Sequence, residues 1–223
     1  MALSLLIIPT KNEHKTIHRV MEEVTALGLD DLHVLVTDDD SIDGTWRTYG
    51  TRWAADSERN HLLRRCGPQK GRGYAMRESY QWALDREPRY DYVFEMAGNG
   101  TDDPSLIPAM IEKLAGGADV VVAERERRAQ GFAKFATGAP VKDVESGFRG
   151  YRRDLLEQVV RKLKSKTHDI KAEILAAAVK RRARFETVPT QVRELPSDAY
   201  AQGGESGALK LTGLYLRRLV GGV

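Results

Sequence analysis

The chain has 223 residues, of which 41% are hydrophobic and 30% are charged. This composition is too apolar for a disordered chain and too polar for a membrane-embedded one, and the length suits one α/β-sized domain. The formal net charge of +3 is too small to indicate a nucleic-acid partner.

The cysteine content and the first residues of the chain indicate in which cellular compartment the protein is found. Cys66 is the single cysteine, so an internal disulfide and a cysteine-based zinc cluster are both excluded. The apolar run at residues 3–8 is too short to cross a bilayer, and it does not follow a basic signal-peptide head. We therefore expect the protein to be cytoplasmic.

Strand-like and helix-like segments alternate along the first 123 residues. An apolar run at residues 3–9 predicts a first strand, and apolar residues at helical spacing between Ile17 and Leu27 predict the helix after it. The alternation continues with strands at 32–37, 61–65, 90–96 and 118–123 and helices at 43–55, 73–85 and 104–114. This order predicts an α/β fold with a mainly parallel central sheet covered by helices on both faces.

The pattern changes after residue 123. An Arg-rich stretch leads to a polar segment at 143–151, and helices at 153–164 and 169–181 precede a strand-like segment at 184–189. Residues 190–207 are rich in Gly, Ser, Pro and charge, which predicts a mobile loop, and residues 208–220 predict a short helix. We interpret residues 1–223 as a single domain.

Polar loops follow the first, second and fourth predicted strands, at residues 9–13, 38–45 and 97–104. In a parallel sheet, the loops after the strands converge at one edge, where ligands bind. The sequence therefore predicts one site built from these three loops.

Four acids in the second loop, Asp38, Asp39, Asp40 and Asp43, have two interpretations. Carboxylates at a strand-to-helix junction accept hydrogen bonds from a ligand's base or ribose hydroxyl, or they cap the helix. A helical run follows Asp43, which favours a cap there. Adjacent acids repel one another, which favours ligand contact for Asp38 and Asp39.

Two other segments bear on phosphate and metal binding. Lys70, Gly71, Arg72 and Gly73 place two cations and two glycines before a helix, which suits a diphosphate, although a plain turn explains the same residues. Mg²⁺ or Mn²⁺ needs oxygen ligands, above all carboxylates. In the loop at 97–104 the acids come late, and Asp103 before a proline is typical of a helix cap.

Six segments together resemble the family-two glycosyltransferases of the GT-A fold. They are residues 9–13, 36–45, 70–75 and 96–104, Arg125, and residues 143–153, in the family's order and approximate spacing. The chain is most similar to the dolichol-phosphate mannosyltransferases and other polyprenyl-phosphate sugar synthases, over most of residues 3–210. The resemblance implies inverting transfer of a hexose from a GDP- or UDP-sugar to a polyprenyl phosphate or a small soluble acceptor.

The resemblance also implies roles for particular residues. It assigns residues 1–124 to nucleotide-sugar binding, 125–207 to the acceptor side and 208–223 to a carboxyl-terminal helix. The implied nucleotide-sugar contacts are Pro9, Thr10, Asn12, Glu13, Asp38, Asp39, Lys70, Gly71, Gly73, Ala97, Gly98 and Asn99. The implied sugar and acceptor contacts are Arg125, Ser146, Arg149, Glu173, Arg193 and Ser206.

Two departures from the family pattern affect metal use and activity. Ala97, Gly98 and Asn99 stand where the family has a metal-binding Asp-x-Asp, so only the Asn99 amide oxygen remains there, and Asp40 replaces a glycine. Either cations neutralise the diphosphate, with Mg²⁺ or Mn²⁺ dispensable or held elsewhere, or the chain is a nucleotide-sugar-binding pseudoenzyme. The cation candidates are Lys70, Arg72, Arg125 and Arg149, and the other metal-ligand candidates are Glu95, Asp102 and Asp103.

The acceptor determines whether a catalytic base is needed. A phosphate acceptor is already anionic, whereas a hydroxyl acceptor needs a carboxylate to take its proton. Asp143 is the first candidate for this base and Glu145 the second, while salt bridges to neighbouring arginines explain both residues equally well.

A nucleotidyltransferase is the third alternative for the function, after the glycosyltransferase and the pseudoenzyme. Such an enzyme would have a Gly-rich loop after the first strand, and the loop at 9–13 lacks glycine.

Membrane contact is a further open alternative. The basic residues and the leucines between Leu211 and Leu219 suit a peripheral position on an anionic bilayer, where a polyprenyl phosphate would be presented. Core packing or contact between subunits explains the same apolar spacing.

Overall fold

The computed structural model describes residues 2–55, 57–126, 137–191 and 193–194. Ser206 and the predicted helix at 208–220 lie outside these ranges, as does most of the predicted loop at 190–207. Their predicted roles stay predictions.

Seven strands and six helices make up the described part of the chain. The strands are β1 (Ser4–Thr10), β2 (Leu32–Asp38), β3 (Asn60–Arg64), β4 (Tyr92–Glu95), β5 (Val120–Arg125), β6 (Arg149–Arg152) and β7 (Phe185–Thr190). The helices are α1 (His14–Thr25), α2 (Thr45–Tyr49), α3 (Arg72–Asp85), α4 (Ile107–Ala115), α5 (Arg153–Val159) and α6 (Ile170–Lys180). A π-helical turn at Gly50–Ala54 continues α2, and 3₁₀ turns at Pro104–Leu106 and Val160–Lys162 precede α4 and follow α5.

The strands form one sheet in the order β3-β2-β1-β4-β6-β5-β7. All neighbouring strands are parallel except β6, which is antiparallel to both β4 and β5. The predicted mainly parallel α/β sheet is confirmed, and each strand that the alternation predicted is present. Strand β6 is an addition that the sequence pattern did not predict.

The core lies on both faces of this sheet. Alternate residues of β1 point to opposite faces, so Leu5 and Ile7 pack in one apolar cluster with α3, α5 and α6. Leu6 and Ile8 pack in the other, with α1 and α4. All four side chains are fully buried, and each such burial stabilises the fold by roughly 1.5–3 kcal/mol. The prediction of helices on both faces is confirmed.

Parallel pairing brings the ends of four strands together at what we call the carboxyl edge. Thr10 of β1 pairs with Asp38 of β2, and Asp38 pairs with Arg64 of β3. Glu95, the last residue of β4, is in register with Ile7 of β1. The three polar loops identified in the sequence therefore start from one edge.

Membrane-spanning helices are not found among the residues that the structure describes, where each helix is too short or too polar to cross a bilayer.

Candidate active site

Asp38 organises the loop that follows β2. Its carboxylate is fully buried and accepts hydrogen bonds from the Thr10 hydroxyl at 3.0 Å and from the amide and hydroxyl of Ser41 at 2.9 and 2.6 Å. The amide of Asn12 in turn donates to the Ser41 hydroxyl at 2.8 Å. Both carboxylate oxygens of Asp38 thus bind groups in the loops after β1 and β2. A ligand at Asp38 would have to share these oxygens with Thr10 and Ser41.

Asp39 joins three parts of the carboxyl edge. One of its oxygens forms an ion pair with the buried guanidinium of Arg65, just after β3, and the other accepts from the Gly71 amide at 2.7 Å. Arg65 also donates from Nε to Glu78 on α3 at 2.7 Å. We call Asp39, Arg65 and Gly71 the Asp39 brace, because they connect the ends of β2 and β3 to the start of α3.

Asp40 has a local partner and a distinctive backbone conformation. Its φ of +60° is in the left-handed region that favours glycine and that Asp tolerates better than most residues. This conformation explains why Asp can occupy a position where the resemblance predicts Gly. The Lys70 ammonium lies 2.6 Å from its carboxylate, and this hydrogen bond and charge lower the pKa of Asp40. Charge repulsion among the adjacent acids is therefore offset within the protein.

Asp43 caps helices, as predicted. It accepts from the Thr45 amide at 3.0 Å at the start of α2 and from the His14 amide at 3.0 Å at the start of α1. The nearby Asn12 side chain accepts from the Ile42 amide at 3.0 Å. These bonds lock the loop after β1 against the loop after β2, while Pro9 lies buried within β1.

Gly71 and Gly73 are required by packing against a neighbouring loop. A Cβ atom at Gly73 would collide with the Ser165 carbonyl oxygen and lie 2.7 Å from the Thr167 amide nitrogen. Gly71 has a φ of +119°, and a Cβ there would lie 2.8 Å from the Lys166 carbonyl oxygen. The turn interpretation accounts for both glycines without a ligand, and their predicted contact with the donor stays a prediction.

Glu13 lies beneath the loop at residues 97–99. Its side chain is buried, and burial raises its pKa to about 8. A Cβ atom at Gly98 would collide with the Glu13 carboxylate, and the Gly98 carbonyl accepts from the Thr16 hydroxyl at 2.9 Å. Glycine at position 98 thus lets the loop lie directly on Glu13.

The residues at the expected metal position do not fit a divalent cation. The Asn99 amide oxygen accepts from the Thr101 amide and hydroxyl at 3.1 and 2.8 Å. Asp102 accepts from the Ala97 amide at 2.9 Å, and burial raises its pKa. Asp103 accepts from the Ser105 amide at 3.0 Å, which confirms the predicted cap. Among the described residues, no three His, Cys, Asp or Glu side chains are grouped to hold a metal.

Positive side chains lie near Glu95, at the end of the strand that precedes this loop. We call Arg72 on α3, Arg149 on β6 and Lys171 on α6 the cation cluster. Arg72 lies 3.7 Å from Glu95, and Arg149 lies 4.0 Å from the same carboxylate. The charges of Arg72 and Arg149 add to the effect of burial and lower the pKa of Lys171 to about 7. Sequence reasoning missed Lys171, which lies two residues before Glu173.

Arg149 is placed as a structural residue. It is fully buried, and its guanidinium donates to the carbonyl oxygens of Lys171 and Val144, each at 2.6 Å. These bonds join β6 to α6 and to the segment before β6. Because Arg149 is fully buried, contact with a substrate would require the surrounding segments to move, and its predicted contact stays a prediction.

Arg125 and Asp143 face each other next to this cluster. The guanidinium donates to both carboxylate oxygens of Asp143, with Nη2 to Oδ1 at 2.9 Å, and Asp143 is buried. Asp143 also accepts from the Glu145 amide at 3.2 Å. Ser146 is buried, and its hydroxyl is bonded to the backbone of Phe148 at 3.3 Å. The salt-bridge interpretation is confirmed for Asp143, whereas its use as a base stays a prediction.

Glu173 and Arg193 hold loops at the border of the site. Glu173 accepts from the amides of Lys164 and Ser165, each at 2.8 Å. Arg193 lies 2.6 Å from Glu23 on α1 and 2.6 Å from Asp103. Both predicted acceptor-side residues are therefore engaged with the protein in this structure, and their contact with an acceptor stays a prediction.

The family assignment agrees with this geometry. Residues 5–160 match the sequence profile of glycosyl transferase family 2, and the chain belongs to that family. It is 28% identical over 173 residues to polyprenol monophosphomannose synthase of Mycolicibacterium smegmatis, a match that covers 70% of this chain and 64% of that protein. It is 30% identical over 172 residues to undecaprenyl-phosphate mannosyltransferase of Micrococcus luteus, covering 70% of this chain and 68% of the relative.

Solved structures show the same fold. Glucosyl-3-phosphoglycerate synthase from Mycobacterium tuberculosis, in complex with Mn²⁺, UDP-glucose and phosphoglyceric acid, superposes with a TM-score of 0.73. The match covers 99% of this chain and 79% of that protein, at 16% sequence identity. The predicted GT-A fold is confirmed, and family membership favours a glycosyltransferase over a nucleotidyltransferase.

Proposed function

We propose that this chain is an inverting glycosyltransferase that moves a hexose from a GDP- or UDP-sugar to a polyprenyl phosphate. The observation that carries the proposal is the arrangement of the carboxyl edge. The acidic loop after β2 is bonded to the start of α3 through Gly71, and Arg72 and Arg149 of the cation cluster lie near Glu95 at the end of β4. A nucleotide sugar needs hydrogen-bond acceptors at its ribose and positive charge at its diphosphate.

The donor's nucleoside is proposed to lie over the loops after β1 and β2. The Asp39 brace fixes the backbone there, and the bonds among Asn12, Ser41 and Ile42 fix the adjoining turn. Because these loops are held before a ligand arrives, little conformational entropy remains to be lost on binding. The diphosphate would extend from there toward the start of α3.

The chemistry of the proposed reaction is a single displacement. An oxygen of the acceptor phosphate forms a bond to the anomeric carbon from the face opposite the donor's diphosphate. The bond between that carbon and the diphosphate oxygen breaks, and its electron pair leaves with the diphosphate. No proton has to be removed from an anionic phosphate acceptor, and positive side chains would stabilise the charge on the leaving diphosphate.

A phosphate acceptor suits the state of Asp143 better than a hydroxyl acceptor does. Both carboxylate oxygens of Asp143 accept from Arg125, so an acceptor hydroxyl would have to compete with Arg125 for either oxygen. The names of the two relatives above also point to polyprenyl phosphates. A small soluble acceptor remains the alternative, with Glu145 as the other candidate for the base.

Exposed cations near the carboxyl edge support an anionic acceptor and peripheral contact with a membrane. Arg161, Lys162, Lys164 and Lys166 are exposed, and the loop at 165–167, which contains Lys166, packs against Gly71 and Gly73. Each basic residue near an anionic bilayer contributes about 1 kcal/mol of attraction. Such a surface would bring the site close to a lipid-borne phosphate.

The experiment has a binding arm and a transfer arm. Thermal unfolding with GDP, UDP and their sugar conjugates should show stabilisation by one nucleotide series, by about 2.7 kcal/mol at 100 times the dissociation constant. The stabilising donor, carrying a radiolabelled sugar, is then incubated with polyprenyl phosphate vesicles. Label in the lipid supports the proposal, binding without transfer to any acceptor supports the pseudoenzyme, and stabilisation by neither series contradicts both.

A further inference from the structure

Positive charge from the protein itself lies near Glu95, two residues before the expected metal position. If a Cβ atom were present at Gly147, it would lie 3.1 Å from the Lys171 ammonium and 3.5 Å from Nη2 of Arg72. The two cations therefore lie close together beside Gly147. Both charges also act on the pKa of Asp102, whose carboxylate is bonded to the Ala97 amide. Both positive charges are therefore within electrostatic range of the loop at 97–102.

Several hydrogen-bond donors of the cation cluster have no acceptor among the described residues. Nε and Nη2 of Arg72 are buried and lack a hydrogen-bond partner among the described residues. One of the three ammonium N–H groups of Lys171 donates, to the Glu145 carbonyl oxygen at 3.3 Å. Buried charged groups with unused donors are costly unless an anion or acceptor completes them. The arrangement therefore suits a strongly anionic ligand.

The charge balance also favours an anion. The three members of the cation cluster interact with three acids, Glu95, Asp102 and Glu13, and burial raises the pKa of Asp102 and that of Glu13, which favours their neutral forms. Glu95 is further engaged as the acceptor of the Tyr151 hydroxyl at 2.9 Å. The excess charge is positive, so it attracts a phosphate and repels a divalent cation.

We propose that Lys171, supported by Arg72, binds the donor's diphosphate directly and performs the charge neutralisation that a divalent metal would otherwise supply. This inference rests on the proposed function, because the diphosphate is that of the nucleotide-sugar donor. Lys171 contacts the leaving oxygens, Arg72 supplies its charge and its unused N–H donors to the same anion, and Arg149 holds α6 in place through the Lys171 carbonyl. On this proposal, Lys171 takes over the role of the metal that carboxylates at positions 97 and 99 would bind.

The test measures nucleoside diphosphate binding without catalysis. Calorimetric titrations of UDP and GDP are performed in EDTA and in Mn²⁺ with the wild-type chain and the variants Lys171→Gln, Lys171→Arg and Lys180→Gln. Lys180 is an exposed lysine at the end of the same helix and serves as the matched control. UMP and GMP are titrated as probes that lack the second phosphate.

The expected result is binding of one nucleoside diphosphate with the same affinity in EDTA and in Mn²⁺. Lys171→Gln should weaken it about tenfold or more, since a charge-assisted hydrogen bond is lost. Lys171→Arg should restore most of the affinity, Lys180→Gln should match the wild type, and the monophosphate should be affected much less.

Three results overturn the inference and leave the proposed function intact. They are diphosphate binding that requires Mn²⁺, equal diphosphate affinity of Lys171→Gln and the wild type, and an equal loss of monophosphate and diphosphate affinity in Lys171→Gln. Binding of neither UDP nor GDP by the wild type under either condition overturns the proposed function itself. If circular dichroism shows that Lys171→Gln does not fold, the wild-type pH dependence described below and the Lys171→Arg variant decide the question.

Discussion

Arg125 and Asp143 form an ion pair with two hydrogen bonds, with Nη2 of Arg125 2.9 Å from Oδ1 of Asp143 and Nε donating to Oδ2. The pair joins the end of β5 to the polar segment that precedes β6. Asp143 is buried and the Arg125 side chain is 20% exposed, so water screens the pair only partly. The interaction is therefore a structural tie at the acceptor side of the site.

Replacing Asp143 with Asn should destabilise the fold. The change leaves the Arg125 guanidinium without its anionic partner and should lower the free energy of unfolding by about 2–3 kcal/mol, measured by urea denaturation. A double-mutant cycle with Arg125→Met should give a coupling energy of about 2 kcal/mol. Glu58→Gln, at an exposed carboxylate, is the control and should change little. Unchanged stability with a large loss of kcat would instead identify Asp143 as a catalytic base.

Gly73→Ala should be strongly destabilising even without a ligand. The added Cβ would meet the backbone at Ser165 and Thr167, which cannot move aside as a side chain can. We expect a loss of about 1–3 kcal/mol in thermal or urea unfolding. Gly67→Ala is the matched control, because the structure leaves open space around a Cβ there. If Gly73→Ala kept full stability and lost only nucleotide affinity, the glycine would serve the ligand.

Glu13 should make stability depend on pH in a defined direction. Burial raises its pKa from 4.5 to about 8, so between these values the folded state binds a proton that the unfolded state has released. The contribution of Glu13 to the free energy of unfolding is therefore fully present below about pH 4.5, falls as the pH rises above that value, and is lost once the pH has risen through about 8. Glu13→Gln removes this dependence, and it should gain stability relative to the wild type between pH 5 and pH 8 in parallel urea titrations. A constant difference between the two proteins would contradict the prediction.

Donor affinity should fall as the pH rises through neutrality. The pKa of Lys171 is lowered to about 7 by burial and by Arg72 and Arg149, against the opposing charges of Glu95 and Asp102. Its ammonium is therefore charged at pH 6 and largely neutral at pH 8. The diphosphate of a nucleotide sugar is diesterified and does not titrate in this range, so its affinity should drop by up to about tenfold. Lys171→Gln should show a flat profile, and a wild-type profile that is equally flat would contradict the assignment.

Hydrophobic periodicity was sufficient to predict most of the fold, and β6 shows where it fails. Residues 149–152 contain two arginines, and Arg149 points into the protein, where it is fully buried. A buried arginine is rare and depends on partners from α6 and the preceding segment, which a local pattern does not contain. The antiparallel pairing of β6 between β4 and β5 is likewise a property of the assembled sheet.

The candidate site was located by its loops, but individual roles were less predictable. Gly71 and Gly73 suit both a phosphate and a tight turn, and only the position of the Ser165–Thr167 backbone shows how packing requires them. The sequence does not mark Lys171 as a site residue, because an isolated lysine in a predicted helix is normally exposed. Its proximity to Arg72 and Gly147 arises from the packing of α6 near α3.

The most direct test of the account is a crystal structure of the chain grown with GDP or UDP, whichever stabilises it, in the presence of EDTA. The account predicts the nucleoside over the loops after β1 and β2, with a diphosphate oxygen within hydrogen-bond distance of the Lys171 ammonium. A nucleotide bound away from the carboxyl edge, or a diphosphate remote from Lys171 and Arg72, would contradict it.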